Sequence, residues 1–254
     1  MTRNKNGRIL YRGPSQLDGR PIVVVLTGLK RTGNRKTGKM LQVWILPANR
    51  SYLESIRTGY DSTVCGDCPL RGIIVRDKQT RKLRNILRGC YVSYHAPQSI
   101  SAAVARGSYA DFNWNTEAHL LTDRKIRFGA YGDPVAAPYA LWSRLARLSA
   151  GHTGYTHQHA QGRLWRFRSL LMASCETPEQ ALDAQSRGWR TFRSTTQADD
   201  LGAHERRCPA SEEMGHRTTC DRCQACDGAG DERNLVIIAH GSKSVTSNYR
   251  KITA

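Results

Sequence analysis

The chain has no long hydrophobic run and carries few acidic residues. No stretch of about 18 apolar residues occurs among its 254 residues, which argues against a membrane-spanning helix. The N-terminus, Met-Thr-Arg-Asn-Lys-Asn-Gly-Arg, is basic and lacks an apolar signal core, so we expect no secretion. These absences predict a cytoplasmic protein with no membrane partner.

Sequence motifs of several large enzyme classes are also missing. The chain contains no G-x-x-x-x-G-K-S/T loop, no H-E-x-x-H pair and no G-x-S-x-G turn. These patterns serve phosphate binding, zinc-dependent hydrolysis and serine-type acyl transfer. Their absence argues against nucleotide hydrolysis and against a serine nucleophile.

The chain does have eight cysteines, most of them in two clusters. In a cytoplasmic protein this number favours metal ligation or redox-active thiols over disulfide bonds. The second cluster comprises Cys208, Cys220, Cys223 and Cys226, and its two-residue gaps let neighbouring thiolates converge on one point. Four sulfur ligands complete a tetrahedral site, so we expect a metal centre here.

Zinc and a 4Fe–4S cluster are alternatives for this centre. Three cysteines with two-residue gaps plus a distant Cys-Pro pair resemble the ligand run of bacterial-type ferredoxins. Here the pair, Cys208-Pro209, precedes the triple instead of following it. Structural zinc sites are usually assembled from two separate cysteine pairs. The spacing alone does not select either metal.

The first cluster, Cys65, Cys68 and Cys90, supplies three ligands for a second metal centre and lacks a fourth. Cys175 and His95 are the candidates for the missing ligand. Cys175 stands at the end of a predicted strand, where a ligand or a reactive thiol could reach a site. Its alternative role is that of a small buried hydrophobe, which is how free cysteine most often behaves.

Basic residues outnumber acidic residues by 39 to 21, which gives a net charge of +18. Residues 1–60 alone carry 12 Lys and Arg against two acidic residues. This charge favours a polyanion partner, because Lys and Arg that contact phosphates release condensed counterions. The alternative is a solvated basic surface. The residues expected to contact nucleic acid are Lys30, Arg31, Arg35, Lys36, Lys39, Arg81, Lys82 and Arg84.

The pattern of apolar residues predicts an α/β fold. Strands are expected at 21–27, 40–46, 125–131, 152–156, 170–174, 188–193 and 234–240, and helices at 52–58, 97–107, 140–148 and 178–187. This alternation implies a mostly parallel sheet, barrel-like or open, with helical crossovers and cysteine-ligated, metal-bound loops. Residues 1–20 are expected to form a basic leader. Residues 21–254 are expected to form a single α/β domain that includes the cysteine clusters at 65–90 and 208–226.

Three polar side chains follow predicted strands, at the edge where α/β folds place working residues. Asp133 comes directly after strand 125–131, and Tyr155 and His157 lie at the end of strand 152–156. We expect these candidate catalytic residues to line a cleft, where Asp133 and His157 could perform acid–base chemistry. The alternative for Asp133 is a structural role in the turn before Pro134.

Several sequence blocks together resemble a known family. They are Cys-Gly-Asp-Cys-Pro from residue 65, Cys-Tyr-Val from 90, Arg-Phe-Gly-Ala-Tyr-Gly-Asp-Pro from 127, Gly-Tyr-Thr-His from 154, and Cys-Pro-Ala-Ser followed by Thr-Cys-x-x-Cys-x-x-Cys-x-Gly from 208. The chain resembles, over about residues 12 to 241, a cysteine-rich protein family of tailed bacteriophages and related mobile elements for which no activity is established.

The order of these blocks is also similar to that of a wider phage group, which looks like a distant relative of S-adenosylmethionine radical barrels. The resemblance implies a phage origin, a location in the bacterial host cytoplasm and a barrel-like α/β fold. This chain lacks the cysteine run with gaps of three and then two residues that radical enzymes use. It therefore departs from the group at the residues that would carry radical chemistry.

Three functions follow as hypotheses. The first is a phage-encoded metal-binding protein that contacts nucleic acid, DNA or RNA, through its basic N-terminal surface and acts in phage replication, expression or host takeover. The second is an iron–sulfur or radical-type metalloenzyme that acts on nucleic acid or a nucleotide. The third is an inhibitor of a host protein, in which the basic surface contacts an acidic protein instead of phosphate.

Overall fold

The computed structural model describes residues 6–32, 34–215, 217–229 and 234–253. Its strands are β1 (Gly7–Pro14), β2 (Pro21–Thr27), β3 (Leu41–Pro47), β4 (Ile73–Arg76), β5 (Leu83–Ile86), β6 (Ala110–Asp111), β7 (Lys125–Tyr131), β8 (Gly151–Thr153), β9 (Tyr155–Thr156), β10 (Met172–Cys175), β11 (Thr191–Thr195), β12 (Glu205–Arg207) and β13 (Asn234–Ile238). Its α-helices are α1 (Tyr52–Thr58), α2 (Ser62–Cys65), α3 (His95–Ala105), α4 (Tyr139–Leu148), α5 (Pro178–Ser186), α6 (Cys220–Cys223) and α7 (Lys243–Thr253).

The first sheet has the strand order β6-β1-β2-β3-β7-β8. The β1-β2 and β2-β3 pairs are antiparallel, whereas β7 lies parallel to both β3 and β8. From Ile22 to Leu26, β2 is apolar and fully buried, as expected for a strand covered on both faces. The predicted bounds of β2 and β7 are confirmed.

The second sheet is entirely parallel, with the order β12-β13-β11-β10-β9. Only Gly154 separates β8 of the first sheet from β9 of the second. Its carbonyl accepts from the Met172 amide (N···O 3.0 Å) and its amide donates to the Cys226 carbonyl (3.0 Å), so backbone pairing continues from one sheet to the next. Residues 151–156 thus connect the edge of the first sheet directly to the edge of the second.

The fold is mixed α/β with mostly parallel strands, and it does not close into a barrel. Among the strands that the structure describes, β6 and β12 are edges and pair with one neighbour each. The barrel-like alternative is therefore wrong in its closed form, because no hydrogen-bonded strand bridges these edges. One hydrophobic core contains residues of both sheets, including Val24, Phe128, Leu171 and Ala173.

The predicted helices are confirmed, with small shifts at their ends. On α4, Leu141, Trp142 and Leu145 share one face and are buried, and the Trp142 ring lies 4.9 Å from the Phe128 ring. Helix α5 is capped by Thr177, whose Oγ1 accepts a hydrogen bond from the Gln180 amide. Within the described ranges, no helix combines the length and apolar character needed to cross a lipid bilayer.

Several elements fall where the sequence predicted none, and three of the places matter for the fold. The segment assigned to a basic leader contains β1, which pairs with β2 because Ile9 and Leu10 bury their side chains. A separate antiparallel hairpin, β4-β5, follows the first cysteine pair. Helix α7 closes the described chain and buries Tyr249, whose hydroxyl donates to the Ser194 carbonyl at 2.8 Å.

Candidate functional site

A cavity of about 120 Å³ lies against one face of the second sheet. Phe192 and Ser194 of β11 and Leu235 and Ile237 of β13 line it, because alternate residues of a strand point to the same face. Apolar residues of β11 and β13 form much of its wall, and α7 covers one side with Val245, Thr246 and Tyr249. The polar lining includes the four cysteines of the second cluster together with Lys36, Tyr91, Arg127, Tyr155, His157 and His240.

The second cysteine cluster reaches the cavity from three short elements. Cys208 directly follows β12, Cys220 and Cys223 are the first and last residues of α6, and Cys226 lies in the turn before β13. All four are free thiols. Burial raises the pKa of Cys208, Cys220 and Cys226, and the neighbouring cysteines raise it further. Without a bound metal ion the site therefore favours neutral thiols.

The donor chemistry suits zinc or an iron–sulfur cluster, but the side chains as they lie do not form a ligand set. Within the described part of the chain, no group of three or more His, Cys, Asp or Glu residues is arranged to hold a metal ion. The four thiols share one cavity without converging on one point. Cysteine-ligated loops are thus not supported as a feature of the fold, and metal binding stays a prediction.

The first cysteine cluster lies beside an imidazole that the sequence did not assign to it. The Sγ of Cys68 is 3.8 Å from Nε2 of His157, and the same Nε2 is 2.8 Å from Oε1 of Glu176. Burial alone would lower the pKa of His157, but the Cys68 sulfur and the Glu176 carboxylate together raise it well above its ordinary value. The arrangement therefore favours an imidazolium at His157.

Neither candidate fourth ligand makes a contact with this cluster. His95 is exposed at the start of α3. The Cys175 sulfur is buried in the main core and lies 3.9 Å from Nε2 of His159. Successive residues of a strand point to opposite faces, so Cys175 points into the core while Ser174 lines the cavity. The structure thus matches the alternative role of Cys175 as a buried hydrophobe, and burial raises its pKa to about 12.

Two of the three candidate catalytic residues, Tyr155 and His157, line the cavity. Asp133, the third candidate, is not among the lining residues. The Asp133 carboxylate accepts hydrogen bonds from the Val135 amide (3.2 Å), the Thr156 hydroxyl (3.0 Å) and the His157 amide (2.9 Å). Burial raises its pKa to about 6, against the opposing effect of His157 and of these hydrogen bonds. These contacts favour the structural role of Asp133 over direct chemistry.

The basic loop, residues 29–39 between β2 and β3, is attached to the second cysteine cluster. The Cys220 amide donates to the Lys36 carbonyl (2.9 Å), and the Lys39 amide donates to Oδ2 of Asp221 (3.0 Å). Lys36 lines the cavity, whereas the loop side chains of Lys30, Arg31, Arg35 and Lys39 are exposed. This contact between distant parts of the chain could not be inferred from the sequence.

The other predicted nucleic-acid contacts lie on the β4-β5 hairpin. Arg81, Lys82 and Arg84 are exposed there. Arg84 lies 3.6 Å from Asp77, and this is the one carboxylate that pairs with the three cations in the described structure. The predicted contact residues therefore occupy two separate elements, the basic loop and the hairpin, and both present cations to solvent.

Sequence reasoning missed the residues that connect these parts. Arg127 of β7 donates from Nη2 to the Tyr91 hydroxyl at 2.6 Å, and the Tyr91 and His240 rings lie 5.3 Å apart. A charged residue between the buried Ile126 and Phe128 was the available signal, since alternation places it on the face opposite the core.

The site thus combines thiols, one guanidinium, tyrosines and two imidazoles around a mostly apolar space. As the side chains lie, such a set suits an anion or a small organic molecule. Comparison of the chain with protein-family models, curated proteins and solved structures finds no match.

Proposed function

We propose that the protein is a phage-encoded metal-binding protein that contacts nucleic acid through its basic loop and the β4-β5 hairpin. One observation supports this proposal above all: the hydrogen bonds that join Lys36 and Lys39 to Cys220 and Asp221. They place thiols on the inner side of the loop and cations on its outer side. A metal ion bound by the second cysteine cluster would fix the backbone that presents these cations.

The charge of the two elements suits phosphate better than an acidic protein surface of matched shape. Lys30, Arg31, Arg35 and Lys39 form no ion pair with a carboxylate within the described ranges, and each is exposed. Unpaired cations on loops and hairpins contact backbone phosphates without reading sequence. We therefore expect affinity without strong sequence preference, on DNA or RNA.

Neutralising the loop should weaken binding and flatten its dependence on salt. In the variant the four exposed loop residues Lys30, Arg31, Arg35 and Lys39 are replaced by glutamine. For every phosphate that the variant no longer neutralises, the slope of log affinity against log salt should fall by about one. Fluorescence anisotropy with single-stranded RNA, single-stranded DNA and duplex DNA over a salt series measures this slope.

The matched control replaces four exposed arginines elsewhere, Arg57, Arg106, Arg147 and Arg250, by glutamine, so the net charge is the same. We expect the control to keep most of the wild-type slope. Wild-type protein that fails to bind at low salt, or equal slopes for both variants, would reject the nucleic-acid part of the proposal.

Metal content tests the other part. Protein purified anaerobically without a tag should contain zinc, or iron with sulfide, in fixed ratio to the chain. The double variant Cys220→Ser, Cys223→Ser should lose this metal, because two of four ligands are removed. The control Cys175→Ser removes a thiol that faces the core and should keep it. Metal-free wild-type protein, under conditions that load known metalloproteins, would contradict the proposal.

A second candidate function is an iron–sulfur or radical-type metalloenzyme that acts on nucleic acid or a nucleotide. The cavity against the second sheet, with Tyr155 and His157 in its wall, favours this candidate. The same elemental analysis separates the two functions. Iron with sulfide keeps the enzyme hypothesis, and zinc alone removes its redox form.

A further inference from the structure

The cavity contains one guanidinium and no carboxylate. Arg127 extends from β7 into its wall, and none of the described lining residues is Asp or Glu. In the described structure Arg127 forms no ion pair, and its side chain donates to the Tyr91 hydroxyl. Its Nε is buried and has no hydrogen-bond partner among the described residues. Arg127 as a whole is half-buried, and a guanidinium partly withdrawn from water without an anion is costly, so the site lacks a charge that would balance it.

The surroundings of Arg127 add to the positive charge, because Lys36 also lines the cavity. The Tyr91 ring packs against the His240 ring. Tyr91 is 45% exposed, so the cavity opens to solvent beside the guanidinium. An anion can therefore approach Arg127 from outside.

Much of the remaining wall is apolar. Phe192, Leu235, Ile237 and Val245 face the same space, so they offer a ligand apolar surface and no charge. Pockets of this kind hold the body of a ligand by apolar contact and orient it by a few polar groups. The combination selects a molecule with one charged end and one apolar end.

We infer that this cavity is a binding site for a small organic anion, whose carboxylate or phosphate pairs with Arg127 and whose apolar body lies against Phe192 and Ile237. The planar guanidinium offers Nε and an Nη group as a two-pronged donor to two oxygens of either group. Tyr91 and Tyr155 supply further hydroxyls near the charge. This inference does not depend on nucleic-acid binding or on the identity of a metal.

The main rival is a charge-balancing role, in which Arg127 neutralises thiolates of a metal-loaded second cysteine cluster. Cys220 is close enough to Arg127 for their charges to interact. The rival predicts that a metal-loaded protein binds no organic anion, because the thiolates already neutralise Arg127. Measurements on protein of known metal content, before and after chelation, therefore separate the two.

Benzoate and phenyl phosphate serve as probes, with benzamide and benzyl alcohol as neutral analogues of similar size. We expect wild-type protein to bind at least one anion about tenfold or more tightly than its neutral analogue, by isothermal titration calorimetry or saturation-transfer NMR. Arg127→Met should abolish this preference and Arg127→Lys should keep part of it. Arg147→Met, on the exposed face of α4, should leave it unchanged.

A direct readout avoids dependence on the folding of any variant. The Nε–H resonance of Arg127 in ¹⁵N-labelled wild-type protein should shift on addition of the preferred anion, because its nitrogen gains an acceptor. Comparing the two anions assigns carboxylate or phosphate as the preferred group. The inference is overturned by the absence of saturable anion binding, by equal binding to Arg127→Met, or by binding that appears only after metal removal.

Discussion

Replacing Arg193 by methionine is expected to lower the free energy of unfolding by about 3–5 kcal/mol. Arg193 of β11 is 1% exposed, and its guanidinium contacts Glu205 (Nη2···Oε2 2.7 Å) and Asp200 (Nη1···Oδ2 2.7 Å). Glu205 of β12 has a side chain only 5% exposed, so losing its partner leaves a buried carboxylate unpaired. The variant also removes the ion pair that Glu205 of β12 forms with β11. Because Cys208 directly follows β12, this ion cluster is connected to the candidate site.

Urea unfolding followed by circular dichroism measures this loss. The control Arg207→Met breaks an exposed pair with Asp199, whose carboxylate is almost fully solvated, and should change stability by about 1 kcal/mol or less. The double variant Arg193→Met, Glu205→Met should recover much of the loss, since no unpaired charge remains buried. A loss below that of the Arg207 control would show that the cluster adds little to the fold.

Replacing Asp133 by asparagine should remove a pH dependence of stability between about pH 4 and 7. Burial raises the pKa of Asp133 from 3.8 to about 6, so the folded state holds its proton more tightly than the unfolded state does. The stabilising contribution of Asp133 is therefore fully present below about pH 4 and is lost as the pH rises through about 6. The difference corresponds to about 3 kcal/mol.

The quantity to measure is the free energy of unfolding of the wild type minus that of Asp133→Asn, over this pH range. It should fall as the pH rises, and the exposed Asp123→Asn, at a carboxylate with no ion pair in the described structure, serves as the control. An unchanged difference for Asp133→Asn would mean that its three hydrogen bonds offset the cost of burying the charge. Direct titration by NMR of the Asp133 carboxyl carbon gives an independent value.

Much of the fold could be predicted because its central strands carry clear apolar patterns, continuous in β2 and alternating in β7. Pro21–Thr27 and Lys125–Tyr131 are bounded by Pro or Gly, and the structure begins and ends both strands where the sequence indicates. In contrast, β1 and α7 escape prediction because each buries few side chains among many polar ones. Their positions follow from pairing with β2 and from packing against Ser194, which are contacts between distant residues.

The candidate site was predictable in its parts but not in its assembly. Two-residue gaps indicate which cysteines lie near each other, and strand ends indicate why Tyr155 and His157 share a cavity. His157 contacts Cys68, whereas Cys175, the predicted partner of the first cluster, does not. This outcome depends on the alternation of side chains along β10 and on the register of the parallel strands. Asp133 looked available because two of the three hydrogen bonds that engage its carboxylate come from the distant residues Thr156 and His157, at the end of β9.

The attachment of the basic loop to α6 has a thermodynamic consequence. Because Lys36 and Cys220 share a backbone hydrogen bond, whatever orders one side of this contact also orders the other. Linkage makes such an effect mutual: if an ion at the thiols strengthens binding of a polynucleotide by some factor, the polynucleotide must strengthen retention of the ion by the same factor. An ion at the thiols would then dissociate most slowly while a polynucleotide is bound and most readily when none is bound.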